Sequence, residues 1–257
     1  MHGRATTDRP HRARAFLRLA MPASILLAAI PQAAPAGWDG RIGWGSDSLL
    51  HGRSLTGGEP AWFGHLRHDR DRWTIGIGAV GEHPDGQSRG AQLDLYLDHR
   101  WHLDEDWQLR AGLVHYESPW NRWNDELRYD ELGLGLGWRG RWSLVLGHAP
   151  DLPYLQQAPD RYARGRASWI ETGWHQPLGG GFSLDLGIGH ADIRGIRYPR
   201  TPRVGLADYA YASAGLGLAL GRLHLHAVLA HANRRGADYS GRGAPRTRVA
   251  VTASWGF

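Results

Sequence analysis

The sequence contains one pattern that could bind a dinucleotide and one short match to a serine-hydrolase motif. Gly76 to Gly81 match the spacing G-x-G-x-x-G, whose glycines let a phosphate approach the start of a helix. The residues that follow, Glu82 to Gly86, are typical of a loop and not of a helix, so we interpret the match as coincidental. Gly86 to Gly90 match G-x-S-x-G, but they lie in the same predicted connection and not between a strand and a helix, and H-E-x-x-H is absent from the sequence. We therefore predict no catalytic residue and no cofactor.

Five of the histidines recur at equivalent positions, each where a strand of the pattern described below meets a long connection. They are His83, His115, His148, His190 and His231. The strands that carry them would be separated by intervening ones, so neighbouring histidines would lie about 9–10 Å apart. Metal–nitrogen bonds are only about 2 Å long. We therefore predict no metal site and interpret these imidazoles as amphipathic side chains at a membrane boundary.

The elements that must position these residues are β-strands. Apolar and polar residues alternate with a period of two, so that Leu93 and Leu95 share one face and Asp94 lies on the other. About twelve segments show this alternation: residues 38–48, 60–68, 72–83, 90–102, 106–117, 127–138, 141–149, 166–176, 181–192, 207–219, 222–232 and 246–257. Each approaches the ~9–11 residues of a tilted membrane strand. The sequence predicts an all-β fold, a transmembrane antiparallel β-barrel.

Connection lengths and aromatic residues indicate how this barrel would lie in the membrane. Short connections, such as residues 139–140 and 220–221, alternate with longer ones, such as 150–165 and 233–245, as periplasmic turns alternate with extracellular loops. Aromatic residues cluster at the strand ends near the short turns, where rings favour the headgroup boundary. The predicted membrane girdle is Trp38, Trp73, Trp101, Trp107, Trp138, Trp142, Trp174, Phe182, Trp255 and Phe257.

The polar strand face, which would line the barrel interior, carries charges of both signs. The predicted lumen-lining residues are Arg41, Asp47, Arg67, Asp94, Asp98, Arg100, Arg110, Glu131, Glu171, Asp185 and Arg248. Their signs nearly balance, which favours a weakly selective lumen containing ion pairs. A three-residue turn at 103–105 would place Asp98 directly opposite Arg110. In a wet lumen we expect this pair to contribute only about 0.2–1 kcal/mol to stability.

The N-terminus has the features of an export signal. Five arginines precede a short apolar segment, Leu19 to Ile30, and Ala34-Pro35-Ala36 offers a cleavage site. We therefore predict a cleaved signal peptide over residues 1–36, a β-barrel domain over residues 37–257, and localisation in the bacterial outer membrane. Removing the signal leaves a net charge near neutral, which argues against nucleic-acid binding. Cysteine is absent, so disulfides and thiolate metal sites are excluded.

The long connections near the C-terminus are rich in arginine. Eleven arginines, among them Arg164, Arg194 and Arg235, outnumber the four aspartates nearby. Guanidinium groups suit lipopolysaccharide phosphates, so we expect contact with outer-membrane lipid. A funnel that attracts small polar or anionic solutes is the alternative. The C-terminal strand, which ends in Phe257, predicts recognition by the barrel-assembly machinery.

Several short segments resemble the TorF family of proteobacterial porins. They are residues 42–47 followed by Gly52, residues 92–96, residues 178–185, Asp208-Tyr209 and the terminal Phe257. Family members commonly carry an aromatic residue after the first Ser-Asp pair and an arginine before the glycine, where this chain has Ser48 and His51. The resemblance implies an outer-membrane pore of unassigned substrate and supplies no catalytic residue.

Together these patterns predict a monomeric channel for passive diffusion of small hydrophilic solutes, and not an enzyme. Two alternatives stay open. Serine, histidine and acidic residues could meet across strands, which would give a lipid-modifying hydrolase at the outer rim. The barrel could also be plugged and serve a structural or adhesive role. Ion conductance would separate a channel from the plugged barrel.

Overall fold

The structure is a computed structural model that describes residues 37–82, 90–120, 127–155, 162–195, 207–239 and 245–257. Twelve antiparallel strands form a closed barrel. They are β1 (Gly37–Gly45), β4 (Ala61–Arg70), β5 (Trp73–Glu82), β6 (Gly90–His102), β7 (Trp107–Glu117), β8 (Tyr129–Trp138), β9 (Trp142–Leu155), β10 (Tyr162–Gly179), β11 (Phe182–Gly195), β12 (Ala207–Leu220), β13 (Leu223–Ala232) and β14 (Thr247–Gly256). The predicted fold class is confirmed, whereas the signal peptide and His83 lie outside the described residues.

Two further elements lie between barrel strands. Strands β2 (Leu49–Leu50) and β3 (Arg53–Ser54) form a small hairpin between β1 and β4, and helix α1 (Arg234–Tyr239) follows β13. The sequence predicted only loops at both places. Among the described residues, no helix is long and apolar enough to cross a membrane.

The barrel closes where its first and last strands meet. Arg41 pairs with Gly256 and Gly45 pairs with Thr252 in the ladder between β1 and β14. The backbones of Gly40 and Phe257 exchange two hydrogen bonds, of 3.1 and 2.9 Å, at the end of this seam. Closure pairs both edges of the sheet, so the barrel presents no open strand edge.

Side chains alternate between the exterior and the interior of the barrel, as the period of two predicts. The exterior carries leucine, isoleucine and valine, and these side chains are exposed: Ile42, Ile75, Leu95, Leu113, Leu132, Ile188, Leu216 and Val249 are examples. Such a continuous apolar exterior is far larger than the apolar patches of soluble proteins. It is typical of a barrel surrounded by lipid.

Tight turns connect the strands at one end of the barrel. Asp71, Arg139, Gly140 and Gly221 have positive φ angles at these turns, a conformation in which glycine meets no steric penalty. The predicted alternation of short and long connections is therefore present in the structure. The strand ends that the longer connections join lie at the opposite end, which we call the loop end.

Strands β9, β10 and β11 are longer than predicted, chiefly at the loop end. They contain 14, 18 and 14 residues. The predicted register of β6 and β7 was wrong by two residues, since Asp98 faces Gly112 and Arg100 faces Arg110. The reason is the turn, where Leu103 donates its amide to the Trp107 carbonyl and Asp104 accepts from the amides of Asp106 and Trp107.

Candidate functional site: the barrel lumen

All ten strand-borne residues predicted to line the lumen occupy the inward-facing phase of their strands. These are Arg41, Arg67, Asp94, Asp98, Arg100, Arg110, Glu131, Glu171, Asp185 and Arg248. The eleventh, Asp47, lies just beyond β1 and is buried. The structure groups them into two walls of different chemistry and a closed region at the loop end.

The first wall, formed by β1 and β4–β7, holds an arginine–aspartate network near the short turns. Arg67 lies 3.0 Å from Asp39 and 3.3 Å from Asp69, and Arg100 approaches Asp69 at 4.0 Å. Thr74 donates its hydroxyl to Asp69. Because Arg67 and Arg100 both lie against carboxylates, their charges are largely balanced within the network.

The ion pair between Asp98 and Arg110 belongs to the same wall but reaches across the ladder diagonally. The Arg110 guanidinium donates to the Asp98 carboxylate, so the predicted contact is confirmed although the register is different. Both side chains are buried, at 8% and 5% exposure. The expectation of a solvated pair was therefore wrong, because neighbouring lumen side chains fill the space around it.

The second wall, formed by β10–β13, is lined by histidines around one carboxylate. Asp185 accepts a hydrogen bond of 2.7 Å from His175, and the His226 Nε2 lies 3.4 Å from the same carboxyl group. His226 extends over Gly215, where a Cβ atom would lie 2.5 Å from its Nε2, so the glycine gives the imidazole room to approach Asp185. The side chains of His175, Asp185 and His226 are all about two-fifths exposed or more. This part of the lumen is therefore wet and polar.

Aromatic side chains fill the lumen nearer the loop end. Tyr116 and Tyr129 stack with ring centroids 4.8 Å apart, and Tyr211 donates its hydroxyl to Glu171 at 2.8 Å. Trp169 is also buried in this cluster. Inward-facing residues can be this buried only where the barrel interior is packed.

The hairpin formed by β2 and β3 completes that packing. Residues 46–60, which contain both strands and which we call the mouth hairpin, connect β1 to β4. Leu50 belongs to the buried cluster with Trp169 and Tyr211, and Leu55 packs against it. Because Trp169 and Tyr211 lie on β10 and β12, the mouth hairpin crosses the lumen instead of extending into solvent.

Asp47 anchors the base of the mouth hairpin. Its carboxylate accepts hydrogen bonds from the hydroxyls of Ser54 and Thr56, at 2.6 and 2.8 Å. Arg248 on β14 lies 3.4 Å from its second oxygen. This carboxylate therefore ties the two ends of the hairpin to each other and to the barrel wall.

The tip of the mouth hairpin is a two-residue turn of His51 and Gly52. Both have positive φ, 47° and 73°, as a type I′ turn requires. The His51 ring lies 5.3 Å from Trp169 and 5.2 Å from Tyr211, and Arg53 lies over the ring of Tyr209 at 5.8 Å. The Nδ1 atom of His51 is buried without a hydrogen-bond partner. Burial, with a smaller contribution from Arg53, lowers the pKa of His51 to about 3.

Sequence reasoning missed the mouth hairpin because a connection of this length is ordinarily exposed. A signal was present: Leu49, Leu50 and Leu55 are apolar, which is unusual for an exposed loop, and His51-Gly52 suits a tight turn.

The ten residues of the predicted girdle lie on the exterior at the end with the tight turns. Seven are well exposed: Trp38, Trp73, Trp101, Trp174, Phe182, Trp255 and Phe257. Trp107, Trp138 and Trp142 pack together, with centroids about 6 Å apart. Trp44 and Trp62, which the prediction did not include, are exposed on the exterior toward the loop end. These two tryptophans supply aromatic residues for the second membrane–water boundary, at the loop end.

Four of the five recurrent histidines are described, and all four face outward near the loop end. Each has a partner on an adjacent strand: His115 bonds Asp130, His148 bonds Ser168, His190 bonds Asp208 and His231 bonds Thr247, at 2.6–2.9 Å. Over the described ranges, no group of three or more histidine, aspartate or glutamate side chains is arranged to hold a metal ion.

The fold is similar to that of solved outer-membrane channels. The NanC porin matches with a TM-score of 0.51 and 10% identity, over 85% of this chain and 98% of that chain. An outer-membrane channel from Pseudomonas putida F1 matches with a TM-score of 0.52 and 14% identity, over 87% and 96%. This chain has a porin fold. No protein-family model and no curated protein matches the sequence, so the resemblance to TorF-family porins stays a prediction.

Proposed function

We propose that this protein is an outer-membrane channel through which small hydrophilic solutes diffuse passively. The observation that carries the proposal is the wet polar wall around Asp185, whose histidine neighbours are exposed inside a closed barrel. Ionisable side chains are costly to place inside a barrel unless they contact water or one another. A water-filled lumen lined by polar side chains is the physical requirement for passive diffusion.

The same proposal includes how the chain is exported and where it is inserted. Residues 1–36 act as a cleaved signal, the barrel-assembly machinery recognises the C-terminal strand, and the apolar exterior contacts outer-membrane lipid. Arginines at the loop end contact lipopolysaccharide phosphates and attract anionic solutes. Among the described ones, Arg164 and Arg194 lie close to Asp151 and Asp192, which moderates this attraction. The resemblance to TorF-family porins supports the same assignment.

The mouth hairpin favours a second candidate, a barrel that is permanently plugged and serves a structural role. Its buried leucines and the Asp47 network hold it across the lumen. The two candidates differ in the conductance of the intact protein. A channel closed reversibly by the hairpin shows openings, whereas a permanently plugged barrel passes no current until the hairpin is removed.

Planar-bilayer conductance of the refolded full barrel separates these candidates. We expect the wild type to show small or infrequent openings, and a variant with residues 48–55 replaced by a Gly-Ser linker to conduct steadily. Replacing Arg141 in a short turn by serine provides a control that leaves the mouth hairpin unchanged. If the hairpin variant inserts and still passes no current, the protein is not a channel.

A further inference from the structure

The mouth hairpin is held in the lumen by contacts that include an ionisable group at its tip. His51 is buried between Trp169 and Tyr211. The next residue, Gly52, packs directly against the barrel wall. A Cβ atom at Gly52 would lie 2.6 Å from the Cβ of Tyr211 and 3.1 Å from the carbonyl oxygen of His231. The tip therefore fits against β10, β12 and β13 with little spare room.

We propose that the mouth hairpin is an acid-released plug and that protonation of His51 displaces it from the lumen. This inference rests on the proposed channel function, because release has a consequence only if the lumen then conducts. The residue acts by controlling the position of the hairpin, without contacting the solute.

Over the described ranges, the charged group that acts on His51 is the cation Arg53, and no carboxylate raises the pKa of this imidazole. Arg53, two residues along the hairpin, is itself a cation and lies over Tyr209 on β12. On the wall, Tyr211 already donates its hydroxyl to Glu171 of β10. At the base of the hairpin, Asp47 accepts from Ser54 and Thr56 and lies beside Arg248 of β14. A proton on His51 would thus add a second buried cation next to the first.

The direction of the pH effect follows from the two positions of the hairpin. In the lumen, His51 has a pKa of about 3, whereas a histidine released into water returns to 6.5. The released form therefore binds the proton more readily, and its share rises as the pH falls below 6.5 and stops rising near 3. Between pH 7 and pH 5 the ratio of released to inserted hairpin should increase about 25-fold.

Single-channel recording at pH 7 and pH 5 tests the proposal with three variants. His51→Asn keeps a residue that tolerates positive φ before glycine and removes the titratable ring. His51→Phe keeps a ring against Trp169 and Tyr211. His148→Asn, on the barrel exterior, is the matched control. We expect the ratio of open to closed time to rise about 25-fold on acidification in the wild type and the control, and less than about twofold in both His51 variants.

The outcomes separate this inference from the proposed function. The variant lacking residues 48–55 should conduct equally at both pH values. If that variant conducts but the wild type does not respond to acid, or if either His51 variant responds as the wild type does, the inference is wrong while the channel remains. If the variant without the hairpin passes no current, the proposed function fails as well.

Discussion

Replacing Asp98 with alanine should destabilise the barrel strongly, because it removes the carboxylate to which the buried Arg110 guanidinium donates. Arg110 is 4% exposed, and its direct neighbour across the ladder is another arginine, Arg100. Removing one partner of a buried ion pair costs about 3–5 kcal/mol, because the remaining charge keeps its desolvation penalty. The solvated pair expected from the sequence would have cost less than about 1 kcal/mol.

Urea unfolding of the refolded barrel, followed by tryptophan fluorescence, measures this loss. Asp39→Ala is the matched control, because Asp39 also bonds an arginine, Arg67 at 3.0 Å, but is half exposed. We expect the control to lose less than about 1 kcal/mol. Replacing Asp98 and Arg110 together should cost less than Asp98→Ala alone. An Asp98→Ala loss no larger than that of the control would refute the reasoning about burial.

Three further predictions concern assembly, topology and the hairpin. Deleting Phe257 should lower outer-membrane insertion but not export, because it removes the two backbone hydrogen bonds to Gly40. Normal levels of the truncated protein in the outer membrane would show that the insertion signal lies elsewhere in the chain. Tags inserted at Gly236 should be labelled on intact cells and tags at Gly140 should not, and the reverse result would invert the topology. Asp47→Asn should weaken the contact with Arg248 and increase the open time at pH 7 in single-channel recordings. An unchanged open time would show that Asp47 does not anchor the mouth hairpin.

The barrel wall could be predicted from sequence because each strand carries its own evidence. A single strand such as β6 shows which face meets lipid, since Leu95 and Leu97 alternate with Asp94 and Asp98. The alternation needs no knowledge of neighbouring strands. The two-residue error between β6 and β7 preserved every side chain's face, which explains why the inward residues were placed correctly despite the wrong register.

The mouth hairpin could not be predicted in the same way, because its position depends on residues far along the chain. His51 meets Trp169 and Tyr211, more than a hundred positions away. Nothing in the local pattern of residues 46–60 specifies those contacts. The burial of Asp98 and Arg110 depends equally on what fills the lumen, so the strength of an ion pair is harder to predict than its existence.

The seam between β1 and β14 has a consequence for how the barrel forms. Arg41 and Gly256 are paired although more than two hundred positions separate them. Every other pair of adjacent barrel strands is also consecutive along the chain, with only the β2–β3 hairpin lying between β1 and β4. Only the pairing of β1 with β14 must therefore close a loop that spans the whole barrel. Such a contact carries the largest entropy cost of closure and raises the contact order. The seam should therefore be the last ladder to form, and joining residues 37 and 257 through a short linker should speed folding most.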